Sequence, residues 1–126
     1  MIETLIKIGS LLIDAFREKN KLDEDERDNI QEALFDVAEL LDEVVYDLEA
    51  GNYPHGKCAQ MDLLAKHLYN ELDGKISKEY LHLLNTNLNS ATALEKLYAE
   101  KDDPETIKEL ERAAGYFRAA GVLATI

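Results

Sequence analysis

The sequence predicts an all-α fold: an antiparallel up-down helical bundle of four long helices plus a shorter N-terminal helix, in a single domain covering residues 1–126. Three observations predict it. Apolar residues recur at alternating three- and four-residue intervals through most of the chain, the spacing that puts them on one side of a helix. No stretch shows the period-two alternation or the β-branched runs of strands. Connections of two to six residues separate the periodic segments, which favours antiparallel neighbours in a bundle.

The elements follow in order, each with its own punctuation. The first helix runs from about Ile2 to Lys19, with Leu5, Leu12, Ile13 and Phe16 inward. Gly9 and Ser10 interrupt it, as a close-packing point or as a weak one. This helix either extends the second after a break or packs across one end of a bundle made by the other four. The second helix starts after Asp23 as N-cap and ends at Gly51, which suits the left-handed residue that closes a helix. The third follows Pro54, from about Gly56 to Leu72, and Gly74 ends it. The fourth begins at Ser77 as N-cap and runs to about Lys101, with Leu81, Leu84, Leu88, Ala91, Leu94 and Leu97 inward. The fifth opens with Asp103-Pro104-Glu105, an N-cap followed by proline at the first helical position. Its seam is Ile107, Leu110, Ala114, Phe117 and Gly121.

Charge is the most informative feature of the composition. Twelve of the 26 acidic residues lie between Asp23 and Glu49, where Arg27 is the one base, so this helix carries −11 of the formal −12. Ile30, Leu34, Val37, Leu41, Val44 and Leu48 fall on one face at 100° per residue. Asp28, Glu32, Asp36, Glu39, Glu43 and Asp47 fall opposite. Like charges four residues apart on a helix cost ~0.2–0.5 kcal/mol per pair, and Asp28–Glu32, Glu32–Asp36, Glu39–Glu43 and Glu43–Asp47 are all of that kind. The stripe is either a solvated face that keeps the protein soluble or a surface that meets a basic partner. Its partner-face candidates are Glu32, Asp36, Glu39, Glu43 and Asp47.

Other classes are bounded by what the chain contains. A pI near 4.6 sets direct nucleic-acid binding aside, because phosphate contacts need a Lys/Arg patch. No apolar run approaches the ~18 residues of a membrane span, and the opening Met1-Ile2-Glu3 does not read as a signal peptide. A single cysteine, Cys58, excludes an internal disulfide and fits a reducing cytoplasm.

One loop and two helices carry candidate chemistry. Tyr53-Pro54-His55-Gly56-Lys57-Cys58 gathers rare residue types at a helix N-terminus, whose dipole lowers a thiol pKa and can hold an anion. His55, Lys57 and Cys58 are therefore the candidate anion or thiol site. The structural reading is the stronger: Cys58 precedes Met61 by three residues on the seam, as a small buried hydrophobe would, and Gly56 serves an unusual dihedral. Glu79 and His82 have the Glu-x-x-His spacing of di-iron bundles, but no second copy exists, so no metal and no cofactor is expected. Ala113, Ala114, Gly115, Ala119, Ala120 and Gly121 make the fifth helix thin enough for close packing, within the bundle or between two copies. The apolar end Val122-Leu123-Ala124-Thr125-Ile126 is read as docked or as part of an interface.

The run from Tyr53 to Met61, with Glu111-Arg112-Ala113-Ala114-Gly115-Tyr116-Phe117-Arg118-Ala119, resembles a small helical domain of uncharacterised bacterial proteins. That resemblance implies a bacterial helical bundle, and nothing functional carries over from it. The order of helices is also similar to helical-bundle effector domains that act on membranes, though the negative charge opposes attraction to anionic lipid. The reading that emerges is a non-enzymatic, cytoplasmic interaction or adaptor module with a protein partner, a basic one or a second copy. The alternatives are an acidic mimic of nucleic acid, whose carboxylates would have to cover a broad surface, and a thiol-based sensor or enzyme using Cys58.

Overall fold

A computed structural model describes residues 2–17, 23–53, 56–83 and 103–125, and among them every regular element is helical. The helices are α1 (Ile2–Arg17), α2 (Glu24–Glu49), α3 (Lys57–Leu72), α4 (78–83 as described) and α5 (Pro104–Ala124). The rest of the fourth helix's expected seam, Leu84, Leu88, Ala91, Leu94 and Leu97, lies outside the described residues. No helix among the described residues is long and apolar enough to cross a membrane.

Local chemistry sets the ends. The Asp23 carboxylate accepts the Glu26 amide at 2.8 Å, and the Asp103 carboxylate accepts the Glu105 amide at 3.0 Å ahead of Pro104. Ser77 Oγ accepts the Tyr80 amide at 3.3 Å and so opens α4. At the other end of α2, the Gly51 amide donates to the Leu48 carbonyl (3.1 Å) and the Asn52 amide to that of Asp47 (2.7 Å). This crossed pair is the Schellman closure, and it places Gly51 at φ +74°. Asp73 (φ −60°, ψ 125°) and Gly74 (φ +79°) form a type II turn after α3, closed by the Lys75 amide on the Leu72 carbonyl at 2.9 Å.

Packing joins these helices through one cluster of buried side chains. In α2 the whole expected seam is buried, Ile30, Leu34, Val37, Leu41, Val44 and Leu48 alike. Ala33, Ala38, Leu40 and Val45 are buried as well, which widens the inner face well beyond that seam. The reason is that α2 has a neighbour on each flank, α5 on one and α3 on the other. The direction of α5 against α2 follows from three contacts. Gln31 reaches Thr125, Phe35 meets Gly121 and Asp42 pairs with Arg118, so numbers rise on α2 as they fall on α5, and the two are antiparallel.

Helix α1 contributes to this core directly. It lies along α5, and Ile8, Leu12 and Ala15 are buried there, while Ile13 and Phe16 are only half-buried. Gly9 is the close-packing point: a Cβ built on it would stand 2.6 Å from Tyr116 Cβ. Among the described helices, the order of packing is thus α1 on α5, α5 on α2, α2 on α3.

The end of α5 is docked. Gln31 Nε2 donates to the Gly121 carbonyl and to Thr125 Oγ1, both at 3.2 Å, and Ala120, Gly121 and Ala124 are buried. Ile126 lies outside the described residues.

Candidate functional site: the outer face of α2

Because α2 buries one side between α3 and α5, its opposite side is left to solvent. Asp28, Glu32, Asp36, Glu39 and Glu43 are exposed, and Asp47 is half-buried. The structure divides these acids into two groups. In the C-terminal half the chain supplies its own cations to two acids, Asp42 and Glu43, and none to Asp47 or Glu49 among the described residues. Lys57 Nζ, at the first position of α3, lies 2.8 Å from Glu43 Oε2, and Arg118 of α5 pairs with Asp42. Asp28, Glu32, Asp36 and Glu39 have no such partner among the described residues.

The other cations of α5 do not redress the balance. Lys108 stands 3.9 Å from Glu105 and Arg112 3.9 Å from Glu109, each on its own helix. Arg112 also lies over the Tyr116 ring, 5.7 Å from its centroid. Tyr116 first, and then Glu109, raise the Arg112 pKa above the ordinary guanidinium value. Lys108 and Arg112 are thus engaged on α5 itself, with no ion pair to the acids of α2 among the described residues.

Two large apolar side chains interrupt that charge. Asp28, Glu32, Phe35, Glu39, Asp42, Tyr46 and Glu49 follow one another at intervals of four and three, an outward seam with the same spacing as the inward one. Phe35 is 37% exposed and packs its ring on Gly121, whereas Tyr46 is 73% exposed. Reading this face from its acids alone passes over both aromatics. Their signal is nevertheless present in the sequence, as two rings on a polar face at helical spacing.

Tyr46 borders a shallow groove lined by Asp42, Val45, Tyr46, Glu49 and Ala50. Val45 is buried and forms its apolar floor; Asp42, at one end, is the residue that pairs with Arg118. The other end is the C-terminus of α2, whose last turn holds no base.

The loop that carried the thiol reading is only partly described. His55 and the Cys58 side chain lie outside the described residues. Gly56 caps α3 at φ +72°, the unusual dihedral anticipated for it. Lys57, the third member of that candidate site, pairs with Glu43 on α2. Glu79 and His82 are exposed on α4, and no three His, Cys, Asp or Glu side chains converge on a metal-sized space among the described residues. Compared with models of protein families, with curated proteins and with solved structures, the chain gives no match.

Proposed function

We propose that this chain is a non-enzymatic helical-bundle interaction module whose outer α2 face docks a basic protein partner. The observation that carries the reading is the run Asp28, Glu32, Asp36 and Glu39, exposed and unpaired among the described residues, beside acids the chain has neutralised for itself. Like charges at four-residue spacing cost stability in the free protein, and a cationic partner reverses that cost. The bundle is up-down throughout, an arrangement supported by the antiparallel α2–α5 pair, and forms a single domain. One cysteine supports a reducing, cytoplasmic setting. A mimic of nucleic acid is the weaker reading, because the unpaired carboxylates form a row on one helix and not a broad field.

The test is a capture experiment with two baits, the wild type and the variant Asp28→Asn, Glu32→Gln, Asp36→Asn, Glu39→Gln, run over a series of salt concentrations. None of the four residues is in an ion pair among the described residues, so the variant keeps the fold. The expected result is a set of basic proteins held by the wild type, lost from the variant and released as salt rises. Equal capture by both baits, independent of salt, would remove the acidic face from the function.

A further inference from the structure

We infer that the groove beside Tyr46 is the arginine pocket of this face, taking one arginine side chain of the partner protein. The inference rests on the acidic-face reading and names what that face recognises. Three features with different physical origins meet there. Tyr46 is 73% exposed, an unusual position for a large ring, and its side chain has no partner among the described residues. Glu49 lies three residues further on, so its carboxylate shares the same stretch of helix surface; it too is exposed and unpaired among the described residues. The groove also ends at the negative pole of the α2 dipole, and no Lys, Arg or His stands in that last turn to meet it.

An aromatic face, a carboxylate and a helix C-terminus all attract a cation, and the apolar floor formed by Val45 suits a methylene stem. Arginine fits better than lysine, because its planar guanidinium stacks on a ring while its edge bonds a carboxylate. The protein already uses this chemistry at the near end of the groove, where Arg118 is held by Asp42. A single planar cation entering beside that pair would lie between Tyr46 and Glu49.

The experiment titrates the full chain with two short peptides, six arginines and six lysines, and reads affinity together with amide chemical-shift changes. The arginine peptide is expected to bind about two- to fivefold more tightly, with the largest shifts at Val45, Tyr46, Glu49 and Ala50. Tyr46→Leu, at an exposed site where folding is not at stake, should erase that preference and leave salt-dependent binding of both peptides. Equal affinities for the two peptides, with shifts spread along Asp28–Glu39, would overturn the pocket and keep the acidic face. Binding of neither peptide would overturn both. A concentration-dependent dimer in sedimentation of the chain alone, lost in Tyr46→Leu, would assign the groove to a second copy and overturn the arginine reading.

Discussion

A methyl group at Gly9 of α1 would stand 2.6 Å from Tyr116 Cβ of α5, closer than two non-bonded carbon atoms of a folded protein come to rest. The near atom belongs to the base of the Tyr116 side chain, and the Tyr116 carbonyl carbon and Phe117 nitrogen follow at 3.5 and 3.6 Å. No rotamer change can withdraw a Cβ, so the two helices would have to separate. Gly9→Ala should therefore destabilise the protein by ~1–3 kcal/mol from overpacking, offset by up to ~1 kcal/mol of helix propensity. Chemical denaturation measures the difference; a variant as stable as the wild type would mean the α1–α5 contact is loose.

Gly115 and Gly51 make a paired prediction. A Cβ added at either finds nothing within 4 Å, so space favours neither outcome. Gly115 lies inside α5 with ordinary helical dihedrals, whereas Gly51 holds φ +74°. Gly115→Ala should stabilise by ~0.5–1 kcal/mol. Gly51→Ala should cost ~1–2 kcal/mol, because an L side chain opposes the left-handed closure of α2. Shifts of the same sign in thermal denaturation would contradict the dihedral argument.

Leu41 is fully buried at the middle of the inner α2 seam. Leu41→Ala should lower stability by ~2–5 kcal/mol, the lost transfer energy plus the cavity left behind. A loss under about half a kcal/mol in urea titration would mean that Leu41 is not packed in the interior, since collapse around the gap removes only the cavity part of the cost.

The acids of α2 should respond to neutralisation according to their partners. Glu32→Gln, Asp36→Asn and Glu39→Gln together relieve like-charge pairs and should leave stability unchanged or raise it by a few tenths of a kcal/mol per pair. Asp42→Asn removes the partner of Arg118 across two helices and should cost up to ~1 kcal/mol, since both side chains are about half exposed. Added salt should shrink both effects. If the first set destabilises more than the second, the charge balance described for this face is wrong.

What was legible in the sequence was mostly local. Asp23, Ser77, Asp103 and Gly51 could be named as helix ends because each bonds backbone groups within a few residues of itself. The inner α2 seam was legible for a similar reason, since helical spacing alone puts Ile30 and Leu48 on one side. Partners across space were not legible. The spacing in α1 did not say that Ile8 and Ala15 would be buried and Ile13 only half so, because that depends on which side α5 approaches. Spacing separates Gly115 from Gly121, the seam glycine of the same helix, but it does not say what meets either. Only the fold sets Phe35 against the second, with a ring carbon 2.7 Å from where a methyl group on Gly121 would stand. At the candidate site, the acidic stripe was evident from composition, but the pairing of Lys57 with Glu43 and of Arg118 with Asp42 joins residues distant in sequence. That pairing is what separates the occupied acids from the free ones.

The position of α5 between α1 and α2 has a consequence for how the protein is made. During synthesis α1 emerges first, and its main partner among the described helices, Pro104–Ala124, emerges some ninety residues later. Through that interval Ile8, Leu12 and Ala15 wait for the main surface they close upon, and among the described helices the large contact open to α2 is the one with α3. Docking of the last helix inserts it between two that are already waiting, so assembly of the core is a late, long-range event. A nascent chain stalled before Pro104 would present two sticky ridges to the cell's chaperones, and release would convert both into interior in a single step.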